Sequence, residues 1–221
     1  YVVPEAQAGG YEALTDLQNG ASILALPDQY DGNVARKRNW ILDHFRGQNL
    51  VMVDDDYGGL FRTVKGKEIE VDLPRMELLL INGFAMAEDA GTPLWGINVQ
   101  ADPKFYREYT PITFLSPVLG PFLGISADLP ESLRFDAALW LKEDYDFSLQ
   151  VLRRYHRIVR LSMYHYRVDH HDLPGGTIGQ RRWEEEVRQL RRLRDKWGPG
   201  VVRFDLTRSV NPIVRPPLKG V

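Results

Sequence analysis

The first hundred residues alternate short apolar segments with helical patterns, and this alternation limits the possible folds more than any other feature of the chain. The apolar segments lie at residues 1–3, 22–26 and 49–53, and helical patterns lie between them at residues 11–17 and 31–45. A strand–helix–strand order of this kind is typical of a sheet with right-handed crossovers. We therefore expect an α/β fold with an open, mostly parallel mixed sheet flanked by helices.

The remaining elements follow from the same periodicities. Pro74 opens a helical pattern that runs to residue 90, because proline is tolerated in a first helical turn. A hairpin is expected around Lys65-Gly66-Lys67. The irregular stretch 94–125, with several aromatic residues and prolines, is expected to form strands and loops of a substrate cleft. Further expectations are a helix at 143–153, a strand at 158–166, a glycine-rich loop at 168–179, an amphipathic helix at 180–197 and an extended tail from residue 211.

Composition excludes several classes of protein. The chain has no cysteine, so it forms no disulfide and no thiolate metal site, and this fits a cytoplasmic location. No stretch approaches the ~20 uninterrupted apolar residues of a membrane helix, so we expect no membrane partner. The segment Tyr1-Val2-Val3-Pro4 has neither an initiator methionine nor a signal-peptide pattern, so we expect the natural chain to begin elsewhere. No feature indicates an obligate protein partner.

Charge is divided unevenly along the chain. Residues 151–221 hold 16 basic and 7 acidic residues, whereas residues 1–150 hold 12 basic and 23 acidic residues. One interpretation is an acidic half that holds a metal and a basic half that faces phosphates. The other is that the two halves neutralise each other within one domain.

Three consecutive acids follow the third apolar segment, in the order Val53-Asp54-Asp55-Asp56. Alternate residues of a strand point the same way, so Asp54 and Asp56 can converge while Asp55 diverges. Carboxylate oxygens suit Mg²⁺ or Mn²⁺, whose other positions are filled by water and substrate phosphates. The end of a strand is also where open α/β sheets place their ligands. The alternative is an acidic turn that only ends the strand.

A second pair of acids, Glu143 and Asp144, begins the helical pattern after residue 142. Asp144 could deprotonate a substrate hydroxyl while Glu143 orients it, with Tyr145 and Asp146 supporting the site. The alternative is that acids in a first turn simply interact favourably with the helix dipole.

The residues at these positions carry a family resemblance. The order Ala35…Arg38-Asn39, Asp54-x-Asp56 and Glu143-Asp144 resembles that of inverting GT-A glycosyltransferases. More narrowly, the segments VMVDDDYGG, WGINVQADPKFY, PFLGI and LRFDAALWLKEDYDFSLQ look like the TET-associated glycosyltransferase group, relatives of the base-J glucosyltransferases. The resemblance covers residues 1–179.

The resemblance implies a function and a set of site residues. The chain would transfer a sugar from a nucleotide-sugar, UDP-glucose or a related UDP-sugar, to the hydroxyl of 5-hydroxymethyl-pyrimidine in DNA, in a bacterial or phage-infected cell. It implies a GT-A catalytic domain at 1–179, with a Rossmann-like nucleotide-sugar-binding half at 1–93 and an acceptor half at 94–179. Residues 180–221 would be a basic helix and tail of the same domain. Asp54 and Asp56 would bind a divalent metal, completed by His170 or His171, and Asp144 would be the base. Pro4, Arg38, Asn39 and Asp55 would contact the nucleotide.

Several features of the sequence can be interpreted in two ways. Gly175-Gly176 could close over the diphosphate or form a simple turn. His170 and His171 could instead be solvated surface residues. The arginines at 153–160 and on the last helix could contact DNA phosphates or form a solvated face. The rival functions are a GT-A enzyme acting on a small-sugar or protein hydroxyl, and a catalytically silent module that binds nucleotide-sugar or DNA.

Overall fold

The structure is a computed structural model that describes residues 1–14, 21–99, 106, 109–168 and 183–218, without the side chains of residues 12–14, 57 and 168. The helices are α1 Ala8–Leu14, α2 Val34–His44, α3 Leu73–Ala90, α4 Glu143–Tyr155 and α5 Trp183–Trp197. The strands are β1 Val2–Pro4, β2 Leu24–Leu26, β3 Leu50–Val53, β4 Tyr57–Val64, β5 Lys67–Glu70, β6 Leu94–Asn98, β7 Ile112–Thr113, β8 Phe122–Ile125, β9 Val159–Val168, β10 Val202–Arg203 and β11 Ile213–Val214.

Side-chain caps set the starts of two helices that the sequence predicted. The Asn33 side chain accepts a hydrogen bond from the backbone N–H of Arg36 at the start of α2. Asp72 does the same for Arg75 at the start of α3, where Pro74 occupies the first turn. Such caps satisfy backbone donors that the helix itself leaves unpaired. The predicted helices at 31–45 and 74–90 are therefore confirmed, with ends that differ by up to three residues.

The large sheet is mixed and mostly antiparallel. Its strand order is β3-β8-β6-β9-β4-β5, with β7 paired to β9 beside β4. Among the described strands of this sheet, only β6 and β9 pair in parallel, and β1 pairs with β2 in parallel in a separate two-stranded sheet. The α/β class is thus confirmed, whereas the expected mostly parallel sheet is wrong.

The error has a specific cause at β8. This strand lies between β3 and β6 and runs antiparallel to both, with Ile125 opposite Leu50 on one side and Leu94 on the other. The apolar run that forms β8 shows in the sequence, but its direction depends on its pairing with β3 and β6, which are distant in sequence. In the structure, β3 pairs with β8 and does not add a further parallel strand to β1 and β2.

The predicted hairpin is confirmed as β4 and β5. The two residues between these strands, Lys65 and Gly66, have φ angles of 49° and 72°. Positive φ at both central positions is the geometry of a type I′ turn, which matches the twist of paired strands. Glycine supplies one of these angles without a steric penalty.

Helices cover both faces of the sheet. Consecutive strand residues point to opposite faces, and Leu94 of β6 packs with α2 and α4 while Trp95 packs with α3. Helix α5 lies against α4 on the outside, where Leu193 and Leu149 share a cluster with Val202 of β10. The first face therefore carries two successive layers of helix.

The end of the described chain is partly extended, as the sequence predicted. β11 falls within the tail and pairs in antiparallel fashion with β10. None of the described helices is both long enough and apolar enough to cross a membrane.

Candidate functional site

A buried arginine joins the two groups of acids that the sequence separates. Arg38, on α2, is only 4% exposed. Its Nη1 donates to Oε1 of Glu143 at 2.9 Å, and its Nη2 donates to Oδ1 of Asp54 at 3.1 Å. Asp54 follows β3 and Glu143 begins α4. The end of one strand and the start of one helix are thus fixed to the same guanidinium.

The loop before β8 completes this arrangement. The carbonyl oxygen of Gly120 accepts from Nη2 of Arg38 at 3.2 Å, and its N–H donates to Oδ2 of Asp144 at 2.8 Å. Two residues earlier, Val118 is held through its backbone N–H and carbonyl by the hydroxyl of Ser148. Gly120 has a φ of 30°, in the region that favours glycine. This loop is therefore held by side chains from α2 and α4.

Tyr166 of β9 lies beside the carboxylates. Its side chain is buried, and burial raises the pKa of its phenol, as do the charges of Asp54, Asp144 and Asp56 in that order. All three acids therefore lie near the phenol, which stays protonated at neutral pH and can donate a hydrogen bond. Asp54 is partly exposed, while Asp55 and Asp56 are exposed.

Glu143 and Asp144 hold protons more tightly than ordinary carboxyl groups. Burial raises the pKa of Glu143 to about 8, because it outweighs the lowering by Arg38 and is reinforced by the charges of Asp144 and Asp54. Burial likewise raises the pKa of Asp144 against the opposing effects of Arg38 and the Gly120 N–H. The pair titrates as a unit, since each charge opposes the other. A carboxyl group poised near neutral pH is suited to general acid–base chemistry.

The cationic side of the cluster stays charged. Burial lowers the pKa of Arg38, but the charges of Asp54, Glu143 and Asp144 outweigh that effect and raise it. One guanidinium thus faces three carboxyl groups. The cluster has more acidic groups than basic ones, so a further cation could be stabilised near Asp54, whose side chain is 40% exposed.

The predicted metal site rests on two carboxylates. Among the described residues there is no group of three or more histidine, aspartate or glutamate side chains arranged to hold a metal. Mg²⁺ in phosphate-transfer sites commonly uses one or two protein carboxylates, with water and substrate phosphates in the other positions. Asp54 and Asp56 offer two carboxylates of this kind, and the charges of both raise the pKa of Tyr166.

The residues predicted to contact the nucleotide lie in different parts of the fold. Pro4 ends β1, opposite Leu26, and Asp55 is exposed. The amide of Asn39 is bound on both sides by the backbone of Phe135, donating to its carbonyl at 2.8 Å and accepting from its N–H at 2.9 Å. Asn39 therefore ties α2 to the segment before α4. Four predicted residues lie outside the described part of the chain: His170, His171, Gly175 and Gly176.

Helix α5 braces the acidic start of α4 from outside. Lys142 and Glu186 form an ion pair of 2.6 Å with side chains only 4% and 12% exposed. Asp146 is fully buried and accepts from Nε1 of Trp197 at 2.8 Å and from Nζ of Lys196 at 3.0 Å. These partners fix α5 against the turn that carries Glu143, and the expectation that Asp146 supports a catalytic site stays a prediction.

The other basic side chains are divided between internal contacts and the surface. Arg188 pairs with Glu185 one turn away, and the guanidinium of Arg194 lies 4.7 Å from the centre of the Phe204 ring. Arg191 and Arg192 are exposed. Arg181 and Arg182 lie outside the described residues. Some of these arginines therefore contact other residues of the chain, although Arg188 is itself exposed, and Arg191 and Arg192 remain at the surface.

Sequence reasoning missed the contacts that build this site. It identified Asp54, Glu143 and Asp144 but treated them as two separate sites. It did not assign a role to Gly120 or Tyr166, because neither lies in a motif and only the fold brings them to the acids. The one signal that the sequence offers for such contacts is a charged residue within or next to the apolar pattern of a helix or strand. Arg38 is such a residue.

Known proteins provide no further assignment. No protein-family model, no curated protein and no solved structure matches this chain. A functional proposal therefore rests on the geometry around Arg38 and on the sequence resemblance.

Proposed function

We propose that this chain is a metal-dependent inverting glycosyltransferase of the GT-A kind, acting on the hydroxyl of a 5-hydroxymethyl-pyrimidine in DNA with a UDP-sugar as donor. One observation carries the proposal. Arg38 is hydrogen-bonded to both Asp54 and Glu143. The resemblance assigns Asp54 to the donor side, and Glu143 lies beside the proposed base. A transferase must hold donor and acceptor within reach of each other, and this arrangement places both acid groups in one cluster.

The proposed reaction is a single displacement at the anomeric carbon. The acceptor hydroxyl oxygen forms a bond to that carbon on the face opposite the diphosphate, and the bond to the diphosphate oxygen breaks with inversion. Asp144 takes the hydroxyl proton, and the diphosphate leaves with the bonding electron pair. Mn²⁺ or Mg²⁺ held by Asp54 and Asp56 would supply charge stabilisation to the leaving diphosphate.

Asp144 fits the role of base through its contacts. Oδ2 accepts from the Gly120 N–H at 2.8 Å and Oδ1 accepts from the Tyr145 N–H at 2.7 Å, so its orientation is fixed from both sides. Its raised pKa makes it a stronger proton acceptor than an ordinary aspartate once it is ionised. Arg38 acts as a positioning residue in this scheme.

The DNA acceptor is supported by the exposed part of the basic half. Arg191 and Arg192 lie on the outer surface of α5 and could contact phosphates, which contribute much of the affinity of DNA-binding proteins. A hydroxymethyl group at C5 projects into the major groove. DNA and nucleotide-sugar meet in the cytoplasm of a bacterial or phage-infected cell, which is the location that this activity requires.

One observation favours the rival acceptor, a small-sugar or protein hydroxyl. Lys196 is paired with Asp136 at 2.8 Å and with Asp146 at 2.9 Å, so some of the basic charge is used within the fold. Filter binding with hydroxymethylated and plain duplexes separates the two acceptors. Affinity for DNA that falls with added salt supports the DNA acceptor, and the absence of any such affinity favours the rival.

Donor turnover tests the transferase proposal directly. We expect the protein to hydrolyse a UDP-sugar slowly in the presence of Mn²⁺, since water can replace the acceptor. Asp144→Asn should reduce this rate at least a hundredfold, in line with the loss of a general base. Asp89→Asn, at an exposed position of α3, is the matched control and should keep the wild-type rate. Equal, negligible rates in all three proteins would support a catalytically silent module instead.

A further inference from the structure

Three buried polar atoms without hydrogen-bond partners lie on the neighbouring strands β7 and β9. They are Oγ1 of Thr113, Nε of Arg160 and Oγ of Ser162. Nearly all buried polar atoms in folded proteins are paired with protein or bound water. A cluster of unpaired atoms therefore indicates a missing partner more strongly than a single unpaired atom does.

The strand register places the three side chains on one surface. Thr113 lies directly opposite Arg160 in the antiparallel β7–β9 pair. Ser162 lies two residues further along β9, where its backbone N–H donates to the carbonyl oxygen of Pro111 at 2.8 Å. Val159 and Leu161 pack on the α3 side of the sheet, so alternation directs Arg160 and Ser162 to the opposite side.

The charge of Arg160 is poorly compensated by the described residues. Its guanidinium donates through Nη1 to the carbonyl oxygen of Pro117 at a long 3.4 Å. Burial alone lowers the pKa of Arg160, with no contribution from a carboxylate. Arg38 differs in this respect, since three carboxyl groups offset its burial. The Arg160 side chain is partly exposed, so water reaches part of its guanidinium, but its buried Nε has no acceptor among the described residues.

We propose that Arg160, Thr113 and Ser162 form a binding site for a phosphoryl oxyanion. Two hydroxyl groups and a guanidinium N–H are all donors, and an oxyanion offers only acceptors with a negative charge. A water molecule could satisfy the hydroxyl groups, but it would leave the arginine charge without a counterion. Ser162 is 2% exposed, whereas Thr113 and Arg160 are partly exposed, so a ligand would enter from the side of these two residues.

The test needs only binding, so its outcome is separate from that of the sugar-transfer proposal. Titration calorimetry of inorganic phosphate in chloride buffer, at constant ionic strength, measures the affinity. We expect wild-type protein to bind phosphate and Arg160→Gln to bind it at least tenfold more weakly, because a charge-assisted hydrogen bond is lost. Arg157→Gln removes an exposed guanidinium that contacts the carbonyl oxygens of Ala90 and Tyr155, and it should keep the wild-type affinity.

A second variant keeps the test valid if Arg160→Gln does not fold. Thr113→Val combined with Ser162→Ala retains the charge and removes both hydroxyl donors, and it should weaken phosphate binding several-fold. A parallel titration with a deoxydinucleotide distinguishes the source of the phosphate. Tighter binding of its phosphodiester assigns the site to nucleic acid, and tighter binding of free phosphate assigns it to a small ligand. Absence of phosphate and dinucleotide binding by wild-type protein, or equal affinity in wild type and folded variants, would overturn the proposal.

Discussion

Nη1 of Arg38 donates to Oε1 of Glu143 at 2.9 Å, across 105 residues of sequence. Both side chains are buried, so this contact replaces solvent for the guanidinium and for the carboxyl group of Glu143. The neighbouring Nη2 binds Asp54 and the carbonyl oxygen of Gly120. The guanidinium thereby sets the positions of three separate segments.

Loss of this arginine should destabilise the fold strongly. Arg38→Met removes the hydrogen-bond donor of the buried Glu143 and of the Gly120 carbonyl, and it leaves Asp54 without its counterion. A buried polar group that loses its partner typically costs about 1–3 kcal/mol. Urea unfolding of the variant measures the loss of free energy. Arg36→Met, at an exposed position of the same helix, is the control and should change stability little. Equal stability of the two variants would contradict the role of Arg38.

Protonation of Glu143 should make stability depend on pH. Its pKa in the folded protein, about 8, lies above the ordinary value of 4.5, so the folded chain binds the proton more tightly. This contribution is complete below pH 4.5 and is lost as pH rises towards 8. Wild-type stability relative to Glu143→Gln should therefore fall between pH 5 and pH 8, by on the order of 2 kcal/mol or more.

Urea unfolding of both proteins at several pH values measures that difference. Glu77→Gln, on the exposed surface of α3, should differ from wild type by the same amount at each pH. A wild-type advantage over Glu143→Gln that stays constant or grows with pH would show that the carboxyl group is ionised in the folded chain.

The brace between α4 and α5 should show strong energetic coupling. Lys142 and Glu186 form a nearly buried pair, so a double-mutant cycle with Lys142→Met and Glu186→Gln should give a coupling energy of about 1–3 kcal/mol. Arg188 and Glu185 are a pair on the same helix, but Arg188 is 72% exposed. A cycle with Arg188→Met and Glu185→Gln should give coupling indistinguishable from zero. Similar coupling in both cycles would contradict the proposed brace.

A glycine of α3 should resist replacement because of a neighbouring ring. A Cβ atom added at Gly83 would lie 2.4 Å from Cζ3 of Trp95. Helix propensity alone favours alanine by about 1 kcal/mol, but overpacking a core typically costs about 1–3 kcal/mol. Gly83→Ala should therefore lower the melting temperature. Gly10→Ala, in α1 with no atom within 4 Å of the added Cβ, should leave it unchanged or raise it. A higher melting temperature for Gly83→Ala would contradict the close packing.

Local signals in the sequence identified the helices and the hairpin well. Pro74, the Lys65-Gly66 turn and the apolar periodicity of the last helix each act over a few residues, and the corresponding elements are present. The order and direction of the strands were harder to predict, because the direction of β8 and its position between β3 and β6 depend on contacts between residues distant in sequence. Strand periodicity identifies an element but contains no information about its neighbours.

The acids of the site were found from the sequence, but their common centre was not. Asp54, Glu143 and Asp144 stand out as acids beside apolar runs. Arg38 was assigned to the nucleotide, and its bonds to Glu143 and Asp54 follow only from the packing of α2 against the sheet. The raised pKa of Glu143 is likewise a consequence of burial, which the sequence does not specify at a helix start.

Mass spectrometry of nucleosides from hydroxymethylated DNA tests the proposed activity most directly. The DNA is incubated with the protein, Mn²⁺ and a panel of UDP-sugars, then digested to nucleosides. We expect a sugar adduct on the hydroxymethyl-pyrimidine with wild-type protein, at least a hundredfold less with Asp144→Asn, and none on plain DNA. Folded wild-type protein that yields no adduct with any donor, or an Asp144→Asn variant that yields as much as wild type, would contradict the account.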